Sequence, residues 1–143
     1  MKQPEQIASV ISRIHENANR IILDELAAHG MEGLVPSHGG ILSCLFFNDG
    51  LPMSEIAKKI HRKKNTITVL VEKLETYGYV TRVADSEDNR ISLVYLTAKG
   101  KSIRGTFTMI SDKLISSIYK GISKEEKLTL MNLLDRINEN LSG

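Results

Sequence analysis

Residues 58–80 read KKIHRKKNTITVLVEKLETYGYV. Lys58, Lys59, Arg62, Lys63 and Lys64 fall within seven residues with no acid among them, and a β-branched run, Thr66-Ile67-Thr68-Val69, follows at once. Ile67, Leu70, Val71 and Leu74 recur at helical spacing and mark one inward face. Gly78 supplies the left-handed residue that closes such a helix. The spacing therefore predicts a helix over residues 65–77 with cations crowded at its start. Asn65 or Lys63 caps it, Asn65 having the better capping side chain. Thr66, Thr68, Val69, Glu72 and Lys73 are left facing outward.

Upstream, PMSEIAKKI (52–60) reads as a short helix with Pro52 in its first turn and Glu55 near the positive end of its dipole. Downstream, YVTRVA (79–84) and ISLVYL (91–96) are rich in β-branched and aromatic residues and flank the polar hexapeptide DSEDNR, so a hairpin is expected. Thr97 can cap the next helix, whose stripe is Ile103, Phe107, Ile110, Leu114 and Ile118. A last helix after Gly121 carries Leu130, Leu134, Ile137 and Leu141. At the other end, Ile7, Ile11, Ile14, Ala18 and Ile21 define a helix that stops near Gly30. GGILSCLFFN (39–48) gives another, opened by Ser37 and His38 and closed at Asn48-Asp49-Gly50. The expected order is α-α-α-α-β-β-α-α, a mainly α (α+β) chain. Two short helices with basic residues before the second, followed by a hairpin, form the order of a winged helix-turn-helix.

Several function classes drop out on composition. No apolar run approaches the roughly 20 residues of a spanning helix, and MKQPEQ has no signal-peptide core, so a cytoplasmic protein without membrane contact is expected. Cys44 stands alone and excludes a cysteine-based zinc finger; packed in ILSCLFF, it is expected to fill space rather than sense oxidants. His15, His29, His38 and His61 show no metal-ligand spacing, so no metal and no cofactor are expected. The common nucleophile and nucleotide motifs are absent, so no catalytic residue is assigned and an enzyme is not expected. Net charge is only +2, so any nucleic-acid argument rests on where the cations sit.

They sit where a groove-reading helix needs them. Phosphates approach the unpaired N–H groups and positive dipole end of such a helix, and short side chains bring it close to base edges. Arg62, Lys63, Lys64, Asn65, Thr66, Thr68, Val69 and Lys73 are accordingly the candidate DNA-binding residues of the helix and its preceding turn. In the wing, Asp85, Glu87 and Asp88 repel phosphate, so Arg90 must act locally. Asp88, two residues before it, can hold its guanidinium extended toward a narrow minor groove. A protein-interaction module that binds an acidic partner is the competing reading.

LPMSEIAKKIHRKKNTITVLVEKLETYGYVTR and DSEDNRISLVYLTAKG resemble the MarR family of dimeric bacterial transcription regulators. The matching elements are Glu55-Ile56-Ala57, Thr66 with Leu70-Val71 and Leu74, Gly78 with Arg82, Asp88-x-Arg90, and Leu96-Thr97-x-Lys99-Gly100. Departures are His61 where the family turns with Gly, Arg62-Lys63 in place of an apolar residue and Ser, and Val69 and Glu87 at positions often held by Arg. The resemblance implies one domain over 1–143, with a DNA-binding lobe at 31–100 and dimerisation helices at 5–30 and 101–141. It also implies insertion of Arg90, oriented by Asp88, and a small-molecule effector held between the dimer helices and the lobe.

The terminal helices carry more apolar surface than one lobe can cover, so a homodimer is expected, held through Ile7, Ile11, Ile14, Phe107, Ile110, Leu114, Leu134, Ile137 and Leu141. Two-fold symmetry then implies double-stranded DNA with an inverted repeat as partner. The resemblance to the MarR family further implies a ligand-responsive repressor. Arg13, Arg20 and His38 are the candidate ligand residues, although Arg20 and Asp24 form an i,i+4 pair suited to a solvated face.

Overall fold

The computed structural model describes residues 3–31 and 33–143; Met1, Lys2 and Glu32 lie outside the described residues. A 3-10 turn at Pro4–Gln6 leads into α1 (Ile7–Ala28), followed by α2 (Pro36–Phe47), β1 (Leu51–Pro52), α3 (Met53–Ile60) and α4 (Lys64–Thr76). β2 (Val80–Ala84), β3 (Ser92–Leu96), α5 (Ala98–Ser102), α6 (Arg104–Ile118) and α7 (Lys124–Leu141) complete the chain. Two compact units result, residues 1–110 and 111–143.

In the first unit, the core gathers around α2. His38, Ile41, Leu42 and Leu45 of this helix are buried, joined by Ile56 of α3 and by Ile67, Val71 and Leu74 of α4. Val80 and Val94 close it from the sheet, and Leu26 and Ile110 reach it from α1 and α6. Burying each such aliphatic side chain is worth roughly 1.5–3 kcal/mol. The inward stripe of the basic helix thus behaves as its spacing predicts, with Leu70 partly buried beside the other three.

The sheet has three antiparallel strands in the order β1-β3-β2, one more than expected. Pro52 does not open α3; it pairs with Leu93, and Leu51 pairs with Val94, before the helix starts at Met53. Asp49 secures this corner, its Oδ1 accepting from Gly50 N at 3.1 Å and from Leu96 N at 2.8 Å. The hairpin runs in register from Val80↔Leu96 to Ala84↔Ser92, closed by Asp85 N–H to Ile91 O at 2.9 Å.

The expected fifth helix is two. Thr97 caps α5 as predicted, Oγ1 accepting from Gly100 N at 3.1 Å. Ile103 then leaves helical geometry at φ −91°, ψ 0°, and Phe107 N–H to Ile103 O at 3.0 Å resumes the ladder in α6. α2 likewise starts earlier than GGILSCLFFN, at Pro36, whose missing N–H costs nothing in a first turn.

In the second unit, the end of α6 reaches α7 through a turn with Gly121 at φ +77°. Ser123 and Glu126 form a reciprocal capping box, and Lys127 Nζ lies 4.9 Å from the Tyr119 ring centroid. Yet α7 buries none of its 18 residues. Among the described residues no helix is long and apolar enough to cross a membrane.

Candidate nucleic-acid interface

The turn between α3 and α4 begins with His61 in the left-handed region (φ 55°, ψ 49°), the one non-glycine residue with positive φ among those described. Beyond it Arg62, Lys63 and Lys64 are all exposed. Lys63 is the N-cap of α4, and no side chain caps it: Asn65 lies inside the first turn, where its Oδ1 accepts only from Thr66 N at 3.0 Å. Of the two capping residues left open by sequence, the backbone therefore selects the one without a capping side chain. The N–H groups of Lys64 and Asn65, the first two of α4, stay available beside three cations.

The outward face of α4 is uneven. Thr66 is exposed and Val69 is 66% exposed. Thr68 is half-buried, and its hydroxyl donates to Lys64 O at 3.0 Å, so it is less free to read a base than its spacing suggested. Lys73 is exposed but sits about two and a half turns from the helix start, its Nζ 5.8 Å from the Tyr77 ring centroid.

At the wing tip, Asp88 grips Arg90 at three points. Oδ1 accepts from Arg90 N at 3.1 Å and from Nε at 3.0 Å, and Oδ2 accepts from Nη2 at 3.0 Å. These bonds to Arg90 hold the Asp88 carboxyl below its usual range and raise the guanidinium in return. The fork is fixed at its base while the Arg90 side chain stays 87% exposed. A cavity of about 120 Å³ brings Arg90 together with Lys64 of α4 and Ser54 of α3. Ser54 has no sequence signal of its own; only the fold puts it beside two cations.

A model of the MarR family matches residues 34–92, which hold this helix pair and most of the hairpin. The uncharacterized HTH-type transcriptional regulator YcgE of Bacillus subtilis (strain 168) is 35% identical over 112 residues, 76% of this chain and 71% of YcgE. The chain belongs to the MarR family. It is a DNA-binding transcriptional regulator of the helix-turn-helix type rather than an enzyme. Two solved structures extend the likeness in fold over nearly the whole chain. Streptococcus pneumoniae FabT, in complex with DNA, superposes with TM-score 0.81 at 21% identity and covers 98% of each chain. Streptomyces coelicolor PcaV, in complex with its natural ligand, gives 0.80 at 18% identity, covering 96% of this chain and 93% of PcaV.

This MarR-family chain does not bring Arg13, Arg20 and His38 into one site. Arg13 and Arg20 are exposed on α1, and Arg20 Nη1 donates to Asn17 Oδ1 at 3.0 Å instead of pairing with Asp24. A cavity of about 270 Å³ is lined instead by His15 and Asn19 of α1, Ser37 and Gly40 of α2, Ile60, and Arg62 of the basic turn. His15 and Asn19 touch at 3.2 Å, four residues apart on one helical face, a spacing that could have flagged them.

His38 is 1% exposed and does not line that cavity. Its Nδ1 accepts from Val35 N at 2.8 Å, so the neutral ring carries its proton on Nε2, which has no partner among the described residues. Burial, with Lys73 adding to it, lowers its pKa to about 4. Between pH 6.5 and about 4 the unfolded chain therefore takes up a proton that the native chain refuses. Stability should fall as pH drops through this window, by up to about 3 kcal/mol, and His38 should have no effect above it. Urea unfolding of the wild type and His38→Gln across pH 4–7 measures this; equal slopes in the two proteins would refute it. Cys44 is half-buried, and burial raises its thiol.

The expected dimer residues divide. Ile7, Ile11 and Ile14 of α1 are 41–56% exposed, and Leu134 and Leu141 of α7 are 37% and 82% exposed. Leu114 and Ile137 are half-buried. Ile110 is only 4% exposed and belongs to its own chain's core, while Phe107 packs against Phe46 with ring centroids 6.1 Å apart. Those two lie one helical turn apart on the side of α6 that the lobe already fills, so Ile110 has no surface left for a partner.

Proposed function

We propose that the protein is a ligand-responsive repressor that binds an inverted-repeat operator as a homodimer. The observation that carries this is the juxtaposition of the open, cation-flanked start of α4 with the rigid Asp88–Arg90 fork across one small cavity. Arg62, Lys63 and Lys64, with Ser54, approach phosphates. Asn65, Thr66 and Val69 face base edges in the major groove, with Thr68 and Lys73 at the margin of that face. Arg90 enters the adjacent minor groove, where a pre-extended guanidinium loses little freedom on binding. FabT, whose solved complex contains DNA, shares the fold.

The exposed apolar faces of α1 and α7 support the dimer, which sets two α4 helices about one DNA turn, ~34 Å, apart. The effector occupies the cavity of His15, Asn19, Ser37 and Arg62, a set of donors suited to an anionic or carbonyl-bearing molecule. Arg62 links that cavity to the basic turn, so an effector that draws it inward removes a phosphate contact. PcaV, solved with its natural ligand, shares the fold.

Genomic fragments retained by the purified protein test this. Enrichment of a two-fold symmetric site overlapping a promoter is expected, together with release by a small molecule whose effect Arg62→Ala abolishes. Retention of asymmetric sites alone would overturn the dimer reading.

A further inference from the structure

The far end of α4 is held by a separate device. α4 closes through Gly78 at φ +82°, with Tyr79 N–H bonded to Leu74 O at 2.9 Å and Gly78 N–H to Glu75 O at 3.0 Å. The carbonyls of Tyr77, Gly78 and Tyr79 are then all taken by the start of α5 and its N-cap Thr97. Lys99 Nζ donates to Tyr77 O at 2.7 Å, Thr97 Oγ1 to Gly78 O at 2.5 Å, and Thr97 N to Tyr79 O at 3.1 Å. The Lys99 ammonium also stands 4.5 Å from the Tyr79 ring centroid. Gly100 presses so close that a Cβ there would lie 2.1 Å from Tyr79 O.

Lys99 is the charged member of this clasp. An ammonium at a helix C-terminus meets the negative end of the dipole, and its bond to a carbonyl is charge-assisted. α4 is 13 residues long, so its two ends are ~20 Å apart, and Lys99 stands at the end away from the basic turn. We propose that Lys99 is a positioning residue for DNA recognition: it fixes the axial position and tilt of α4 against α5 without touching DNA. The proposal rests on the reading that the first half of α4 enters the major groove. Base contacts tolerate displacements of only ~0.5 Å, whereas flexible lysines follow a displaced phosphate. Loosening the clasp should therefore cost sequence discrimination before it costs general affinity.

Full-length Lys99→Met and Lys99→Arg provide the test, Met keeping the aliphatic stem over Tyr79 without the charge. Binding to the site selected by the wild type and to random duplex is measured across a salt series, beside thermal unfolding. Lys99→Met should weaken binding to the selected site by about tenfold, the size of one charge-assisted hydrogen bond. Its random-duplex affinity and salt slope should be unchanged, and Lys99→Arg should recover most of the loss. Equal losses on both duplexes with a shallower salt slope would make Lys99 a phosphate contact and overturn the proposal. A lower melting temperature with unaltered binding to the selected site would overturn it too, by making the clasp a stability element alone. A wild type that prefers no sequence would sink the reading of α4 itself, an outcome distinct from either.

Discussion

Leu134→Lys with Ile137→Lys is expected to leave a monomer at micromolar concentration and to weaken operator binding by about a hundredfold or more, because the second half-site ceases to bind intramolecularly. None of the 18 residues of α7 is buried, and Leu128, Leu130, Met131, Leu133 and Leu134 are 37–60% exposed. A helix of this length is marginal in water unless an apolar face is covered. A second copy is the economical cover, since a two-fold axis brings the same patch from both chains together and would set lysines near their own counterparts. Sedimentation and operator titration measure the effect, and affinity for an isolated half-site should be unchanged. A persistent dimer, or a monomer with undiminished operator affinity, would refute this role for α7.

Arg90→Ala is expected to weaken operator binding by more than about tenfold, with Asp88→Ala losing nearly as much although it removes a negative charge. The three bonds between the two residues leave the guanidinium extended yet 87% exposed. Without Asp88 that posture must be fixed anew on each encounter. The double variant should be no worse than Arg90→Ala, the non-additivity expected when one residue acts only through another. Tighter binding by Asp88→Ala would show that its charge merely repels DNA.

Local signals located the elements that carry these effects. The inward stripe Ile67, Val71 and Leu74 is fully buried, and the helix lies within one residue of its predicted bounds. The hairpin, the Thr97 cap and the Asp88–Arg90 pair were equally legible, since each depends on residues a few positions apart. The cavity proposed for the effector was not. Arg13 and Arg20 stay on the solvent side of α1, and the cavity forms where His15 and Asn19 meet Ser37 and Arg62.

What the sequence determined by itself was therefore everything set by short-range periodicity, capping chemistry and turn composition: the helix pair, its basic turn, the wing and its arginine. Only the tertiary structure decided the rest. Leu51 and Pro52 are too few to show alternation and become a strand because Leu93 and Val94 lie alongside them. His38 is sealed inside the lobe, and Ile110 is claimed by its own core. In each case a partner distant in sequence, or a degree of burial, makes the choice, and periodicity carries no information about which of several apolar surfaces will cover a given side chain.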